Sequence, residues 1–381
     1  MDFKLSEREL EVKKLARDFA ENEIAPVIMQ YDESQEFPMD IANKLGEMGF
    51  LGIIFPEEYG GANFSPLEYC IIIEEISRID PSMGLTIAAH NGLCTNHIYS
   101  FANDELKKKY LPDLTSGKKL GAWGLTENVS GSDAGGMATT AAKKDGHYVI
   151  NGSKLFITHG SVGETAVVTA VTDKSKGNNG ISAFILEKGW KGFNVGKKEN
   201  KLGMRSSDTA ELIFENVEVP AENLIGEEGQ GYKQALQILD GGRIAIAALS
   251  VGIAQGAFDA SIKYAKERKQ FGKPLSDFQG IQFKLSDMAT EIDAARLLTY
   301  RAAWLREQGQ DISLAASMAK YFASEIATKA TNEAIQIHGG YGFIKEFPVE
   351  KLYRDVKLMT IGEGTSEVQK MVIARKILTM F

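Results

Sequence analysis

The hydrophobic pattern of this chain changes period twice, and those two changes limit the folds open to it. Over residues 1–120 the apolar residues recur at helical spacing. Over 121–220 they gather in short runs, and from about 229 the helical spacing returns. Ser6 followed by Glu9 is a capping-box signature, and Leu10, Val12, Leu15, Ala16 and Phe19 continue from it as a stripe. Pro66 opens a helix with Tyr69, Ile72, Ile73 and Ile76 on its buried side and Glu74 and Glu75 on the other. Further helices are expected over 40–48, over roughly 82–100, and after Asp104 as a cap. The middle region has β-branched or aromatic runs at 148–150, 154–158, 166–171, 181–186 and 212–214, with turn signals at Asp145-Gly146 and Asn151-Gly152. Strand follows strand with no helix between, which favours a sandwich or barrel over a parallel sheet. In the last third, Ile281, Leu285, Met288, Ile292, Ala295 and Thr299 make one helix face, and an alanine-rich helix runs over 314–338. The expected fold is α+β and multidomain: a helical domain at 1–120, a central antiparallel β-domain at 121–228, and a C-terminal helical bundle at 229–381.

Composition narrows the function. A net charge of −8 over 381 residues argues against a general nucleic-acid or membrane-surface partner. No metal-binding spacing links the five histidines, so no metal site is expected. Cys70 and Cys94 lack a Cys-x-x-Cys partner and fit a reducing cytoplasm better than a disulfide framework. The segment from Met1 to Glu9 has no basic stretch followed by an apolar one, so no leader peptide is expected. No window holds the ~18 uninterrupted apolar residues of a membrane span.

Several short stretches could carry chemistry. Ile361-Gly362-Glu363-Gly364-Thr365-Ser366-Glu367 puts one carboxylate between two glycines, where a substrate can come close. A solvated turn before a last helix would look the same. Leu125-Thr126-Glu127-Asn128-Val129-Ser130-Gly131-Ser132-Asp133 is dense in hydroxyls, as a polar ligand's loop or a plain Asx-rich loop would be. Phe156 and Thr158, two residues apart on a strand, could present a ring and a hydroxyl on one face; a hairpin end is the simpler reading. Leu239-Asp240-Gly241-Gly242-Arg243 lies inside a helical pattern. Two interior glycines cost roughly 1–2 kcal/mol against alanine, which points to a close backbone approach there. Arg268-Lys269-Gln270-Phe271-Gly272-Lys273-Pro274 is a basic loop whose arginine could bind phosphate, or an ordinary helix connection. Gly339-Gly340-Tyr341-Gly342 reads as a loop that could admit a ligand, with a structural role the simpler reading. Gly226, Gly229 and Gly231 do not leave a strand of a βαβ unit, so a nicotinamide site is not expected.

Taken in order, these segments resemble the acyl-CoA dehydrogenase family, most closely its short-chain, butyryl-type branch. The likeness covers essentially the whole chain, from Leu125-Thr126-Glu127 with Gly131-Ser132-Asp133 to Glu363-Gly364-Thr365-Ser366-Glu367. Between them stand Asn151-Gly152-Ser153-Lys154, Lys201-Leu202-Gly203-Met204-Arg205, Gln336-Ile337-His338-Gly339-Gly340 and Tyr353-Arg354-Asp355. The resemblance implies a C-terminal four-helix bundle, a homotetramer, one FAD per subunit and a role in fatty or carboxylic acid degradation by β-oxidation. It implies flavin contacts from Trp123, Leu125, Thr126, Ser132, Phe156, Ile157 and Thr158. It also implies FAD pyrophosphate and adenine contacts from Arg268, Phe271, Gln279, Gln336, Gly339 and Gly340, typically of a neighbouring subunit, and further FAD contacts from Thr365 and Glu367. Ser132, Asp240, Arg243 and Gly364 match substrate contacts, and Glu363 matches the general base. Isovaleryl- and long-chain-type relatives carry their base just before the arginine matching Arg243; here that residue is Gly242, so Glu363 is left to serve. The resemblance further implies electron transfer to an electron-transferring flavoprotein.

Two departures bear on the substrate. The position before the base, often tyrosine in relatives, is Gly362, which leaves room for branched or cyclic acyl groups. The segment 88–92 lacks the arginine expected of a glutaryl-CoA enzyme. Alternatives to a short-chain dehydrogenase are a cyclic acyl-CoA dehydrogenase, an enoyl-CoA reductase running the chemistry backwards, and a non-catalytic acyl-CoA-binding scaffold of the same fold, which loss of Glu363 would have suggested.

Overall fold

A computed structural model describes residues 4–380, so Met1–Phe3, on which the leader-peptide expectation partly rests, lie outside the described residues. The first helices are α1 (Glu7–Phe19), α2 (Ile28–Ser34), α3 (Met39–Glu47), α4 (Pro66–Ile79), α5 (Pro81–Ala89), α6 (Asn96–Phe101) and α7 (Asp104–Thr115). The capping box at the start of α1 forms as the sequence implies, and Ser65 with Glu68 builds a second one at α4. Asn103, not Asp104, caps α7, since its side chain accepts from the Leu106 N–H at 2.9 Å. A π-helical turn, His90–Thr95, joins α5 to α6. Such turns are rare and often mark functional sites.

α4 is buried on nearly every face. Glu74 and Glu75 are only 2% exposed rather than solvated. They survive burial because each is paired. Arg296 Nε and Tyr300 OH donate to Glu74 at 2.9 and 3.0 Å, and Arg17 Nε donates to Glu75 at 2.9 Å.

The central region forms a sheet of β1 (Gly121–Gly124), β2 (Thr140–Lys144), β3 (His147–Thr158), β4 (Thr165–Val171), β5 (Ile181–Glu187), β6 (Phe193–Lys198) and β7 (Thr209–Pro220). Most pairings are antiparallel, but the sheet is mixed. β1 lies parallel to β4 from Gly121↔Thr165 to Gly124↔Val168, and Thr140 of β2 meets Val171 of β4 in the parallel sense. The wholly antiparallel expectation fails here because these pairings join segments more than thirty residues apart, and turn residues report only local hairpins. The Asn151-Gly152 signal is corrected as well. It does not end a strand but lies inside β3, at a register shift opposite β7. Gly152 has φ +141°, and a Cβ there would run into Thr139, so glycine lets two backbones pass.

The last third contains α8 (Gly231–Glu267), a hairpin of β8 (Lys269–Gln270) and β9 (Lys273–Pro274), then α9 (Gln279–Glu307), α10 (Ser313–His338), α11 (Pro348–Asp355) and α12 (Ser366–Leu378). Among the described residues α8 alone is long and apolar enough to cross a membrane, but its most apolar window is 78% buried inside the protein, so it is the central core helix. The alanines of α10, from Ala316 through Ala319, Ala323, Ala327, Ala330 and Ala334, are all buried and let α10 lie close to its neighbours.

The β-region and the helices are locked together near α11. The Met204 N–H donates to Asp355 Oδ1 at 2.5 Å, and Lys351 Nζ donates to Asp80 at 2.5 Å and to Asp355 at 2.6 Å. All three charged groups are buried. Two carboxylates hold the lysine pKa well above its usual range despite burial.

Candidate active site

Glu363 lies in an unusual turn between α11 and α12. Its backbone is left-handed, with φ +53°, and Gly364 follows at φ +93°. Glycine adopts this geometry freely, whereas for a residue with a side chain it costs on the order of 1 kcal/mol or more. Thr365 then caps α12, its side chain accepting from the Val368 N–H at 3.3 Å. The turn is clamped from two sides. Lys320 Nζ, on α10, donates to the Gly364 carbonyl at 2.7 Å. Gln369 Nε2 donates to the Glu363 carbonyl at 3.2 Å and the Gly364 carbonyl at 2.9 Å. The N–H groups of Ile361 and Gly362 both bond to the Leu358 carbonyl, while the Glu363 N–H has no acceptor among the described residues.

This turn presses the carboxylate against α8. A Cβ built on Gly242 would overlap Glu363 Oε2 and lie 3.3 Å from Leu93 Cδ2. Residues 242 and 363, distant in sequence, therefore address one point in space. Glu363 as a whole keeps some accessible surface, but Oε2 is shut off from solvent and has no hydrogen-bond partner. Burial pushes the Glu363 pKa up to about 7, against a downward pull from Lys320 and Arg243. Burial in turn brings Lys320 down to about 8, opposed chiefly by Glu363. Arg243 ion-pairs with Asp240 one turn away, and its Nε is buried without a partner. Burial raises the Asp240 pKa, with Arg243 pulling the other way.

The β-region residues form a second group. The Trp123 indole N–H is already used, donating to His97 Nδ1 at 3.0 Å, and burial holds that imidazole neutral with a pKa near 4. Leu125 and Thr126 contribute backbone: the Leu125 carbonyl accepts from Lys154 Nζ at 3.1 Å and the Thr126 carbonyl from the Leu155 N–H at 2.8 Å. Ser132 is exposed on the following loop. Phe156 does not follow plain strand alternation. The register slips between Lys154 and Ile157, Phe156 has φ +58°, and its ring stands 63% exposed. Ile157 returns to the core and Thr158 pairs with Thr209. The pairing of Phe156 and Thr158 by alternation thus gives way to a bulge that re-aims the ring.

A third group lies at the far end of α8. Arg268, Gly339 and Gly340 line a cleft of about 480 Å³ together with Tyr264, His338 and Tyr341. The Arg268 guanidinium sits 5.4 Å over the Tyr341 ring. A Cβ at Gly339 or Gly340 would meet nothing within 4 Å. Phe271 is 93% exposed, and Gln279 and Gln336 are exposed and do not line the cleft. Glu367, in the first turn of α12, is also exposed, and backbone and Thr365 hydrogen bonds lower its pKa. Arg268 caps the C-terminus of α8, 26 residues beyond Gly242, about 39 Å at 1.5 Å per residue.

Sequence reasoning missed Lys320, Gln369 and the buried Glu127–Lys154 pair, whose atoms meet at 2.6 Å. Lys320 had a readable signal, being the lone cation on the alanine stripe of α10, one turn after Ala316. Gln369 and Lys154 had none, because only folding decides what their side chains meet.

Comparison with known proteins agrees with this layout. The N-terminal, middle and C-terminal domain models of acyl-CoA dehydrogenase match residues 6–118, 122–217 and 229–378. A short-chain-specific acyl-CoA dehydrogenase of Clostridium acetobutylicum is 49% identical, over 99% of this chain and 100% of its own. A subunit of the caffeyl-CoA reductase–Etf complex of Acetobacterium woodii is 46% identical, over 98% of this chain and 99% of its own. The structure of butyryl-CoA dehydrogenase from Megasphaera elsdenii superposes with a TM-score of 0.98 at 46% identity, covering 99% of this chain and 100% of that one.

Proposed function

This chain belongs to the acyl-CoA dehydrogenase family and is an FAD-dependent oxidoreductase acting on acyl-CoA, and from that premise we propose that it removes hydrogen across the α,β bond of short acyl-CoAs with Glu363 as the base. The observation that carries this reading is Glu363 Oε2, buried without a partner against Gly242. A carboxylate with its ordinary pKa is a weak base for a C–H bond. One already raised to about 7 without substrate is better matched to the task.

The residues on hand fit a flavin. Phe156 offers an uncovered ring at a strand bulge, Thr158 a hydroxyl two residues on, and the 125–132 loop its backbone and Ser132. Trp123 contributes packing rather than its N–H, which His97 holds. Bound FAD supplies the acceptor for the hydride leaving the substrate's β-carbon. Everything else falls to the chain. Glu363 takes the α-proton. Its free N–H is a donor for the thioester carbonyl, where negative charge develops. Lys320 and Gln369 keep the turn from swinging away, and Gly242 leaves room for the carboxylate. Asp240, Arg243 and Gly364 are the substrate-side neighbours of this base.

The 39 Å between Gly242 and Arg268 exceeds the reach of one dinucleotide. We therefore assign Arg268, Phe271, Gln279, Gln336, Gly339 and Gly340 to the FAD of a neighbouring subunit in a homotetramer, and Thr365 and Glu367 to further FAD contacts. Segments 1–120, 121–228 and 229–381 are taken as the three units that meet around each site. Electron-transferring flavoprotein is the proposed acceptor.

Gly362 bears on the acyl group. Its backbone is not left-handed, and the nearest atoms a Cβ there would meet are those of Leu358, at 3.5 Å, an ordinary contact. Glycine is therefore not required by geometry, and its effect is space for branched or cyclic acyl groups. Anaerobic flavin bleaching across straight, branched and cyclic acyl-CoAs tests both parts. A yellow protein bleached by short acyl-CoAs supports the reading, and no bleaching by any of them overturns it. Butyryl-CoA turnover far above branched and cyclic turnover removes the Gly362 part alone.

The caffeyl-CoA reductase relative gives a second reading some support. In that direction protonated Glu363 delivers the α-proton to an enoyl-CoA. Reoxidation of the pre-reduced enzyme by enoyl-CoA, faster than its reduction by acyl-CoA, would favour it.

A further inference from the structure

We propose that Lys154 is the positioning residue of the flavin site. Its buried ammonium fixes the 125–132 loop against the strand bulge at Phe156, so that two segments of the chain meet the flavin as one surface. This rests on the reading above that both segments face the flavin.

Lys154 lies on β3, two residues before Phe156, with its side chain fully buried. Its Nζ donates to Glu127 Oε1 at 2.6 Å, to the Leu125 carbonyl at 3.1 Å and to Thr169 Oγ1 at 3.4 Å. The Thr169 hydroxyl donates in turn to the Gly124 carbonyl at 3.3 Å. One cation thus holds residues 124, 125 and 127, where β1 runs out into the loop. Glu127 extends the hold toward β2, since its carboxylate accepts from the Ala138 N–H at 2.5 Å and the Thr139 N–H at 3.1 Å. The Glu127 and Ser130 backbones then bond to each other in both directions, at 2.8 and 3.2 Å. Val129, at the tip of that turn, is left exposed.

The strand is tied to the loop by the same stretch. β3 pairs with β7 at Lys154↔Leu212 and resumes at Ile157↔Ala210, so Leu155 and Phe156 stand outside the ladder. The Leu155 N–H donates instead to the Thr126 carbonyl at 2.8 Å. The bulge therefore gives the loop a backbone donor and turns the Phe156 ring outward. Lys154 and Leu155 grip the carbonyls of residues 125 and 126 in succession, which sets the loop's register against that ring. Stability alone does not require the ion pair. Replacing both members of a buried pair is often nearly neutral, whereas removing one leaves an uncompensated charge. That asymmetry separates positioning from folding.

The test uses the full-length chain as Lys154→Met, Glu127→Gln and the double variant. FAD affinity is measured by titrating the flavin-stripped protein and following the quenching of flavin fluorescence. Melting of the same flavin-stripped protein is followed by circular dichroism. Lys154→Met should weaken FAD binding roughly 10- to 100-fold, the scale of one charge-assisted hydrogen bond, and lower the melting temperature. Glu127→Gln, which keeps the ammonium on the Leu125 carbonyl, should weaken FAD less. The double variant should regain most of the melting temperature yet still bind FAD as weakly as Lys154→Met. Because it leaves no unpaired charge, it carries the comparison even where Lys154→Met fails to fold. Affinity that recovers together with melting temperature in the double variant, or wild-type affinity in the variants lacking Lys154, overturns the Lys154 assignment alone. A wild-type chain that binds no FAD overturns the flavin reading and this inference with it.

Discussion

Glu363 holds a left-handed backbone that a side chain resists, and strain of this kind persists only where the surroundings enforce it. Lys320 and Gln369 are the enforcers, through the carbonyls of residues 363 and 364. The same burial sets the titration. With the carboxyl pKa raised from 4.5 to about 7, the fraction ionised falls tenfold per unit below pH 7. The rate constant for flavin reduction should therefore rise with pH, with a midpoint near 7, and level off above it. Glu363→Gln should retain FAD and bind acyl-CoA while reduction falls by several orders of magnitude at every pH, as for loss of a proton-transfer base. Stopped-flow flavin absorbance measures both. A reduction rate flat from pH 5 to 8, or substantial reduction in the variant, would assign the base elsewhere.

At the scale of an element, α8 shows how a helix gives up propensity for approach. Alanine in place of an interior glycine should favour the helix by up to about 1 kcal/mol. Gly242→Ala, however, sets a methyl where Glu363 Oε2 now lies. The carboxylate must then move or the helices part. The expected result is a protein that still folds and binds FAD, with flavin reduction by butyryl-CoA down at least tenfold, read by stopped flow. Unchanged rates would mean that the carboxylate does not need that space. Much of this was legible beforehand, since a double glycine in a helical pattern already pointed to close approach. What fills the space was not legible, because Glu363 is 121 positions from Gly242, and Arg306, whose Nη1 lies 3.2 Å from where a Cβ on Gly241 would stand, is 65 positions from that glycine.

At the scale of the molecule, α8 separates the Glu363 site from the Arg268 cleft by about 39 Å. If both touch FAD, they touch different FADs, and assembly and cofactor retention become one property. Arg268→Ala should lower flavin content after gel filtration and shift the protein toward smaller assemblies, because a phosphate partner is lost. Light scattering with flavin absorbance reads both, and unchanged flavin content with unchanged mass would refute the shared-site assignment. The buried Lys351–Asp80–Asp355 cluster and the Met204 N–H pin the β-region against α11, which leads straight into the Glu363 turn. Through this contact the β-region and the Glu363 turn share one framework.

The sequence by itself determined the helix–strand–helix order, the capped helix starts, the acid between glycines and the family likeness. Each of these rests on local propensity, on periodicity or on short motifs, which a chain carries residue by residue. Only the tertiary structure decided that β1 runs parallel to β4, that Phe156 leaves its strand at a bulge, and that Lys320, Gln369 and Gly242 surround one carboxylate. Those facts depend on which distant surfaces meet. A pKa near 7 for Glu363 depends on them too, because desolvation is a property of everything packed around a group and of nothing in its own neighbourhood of sequence.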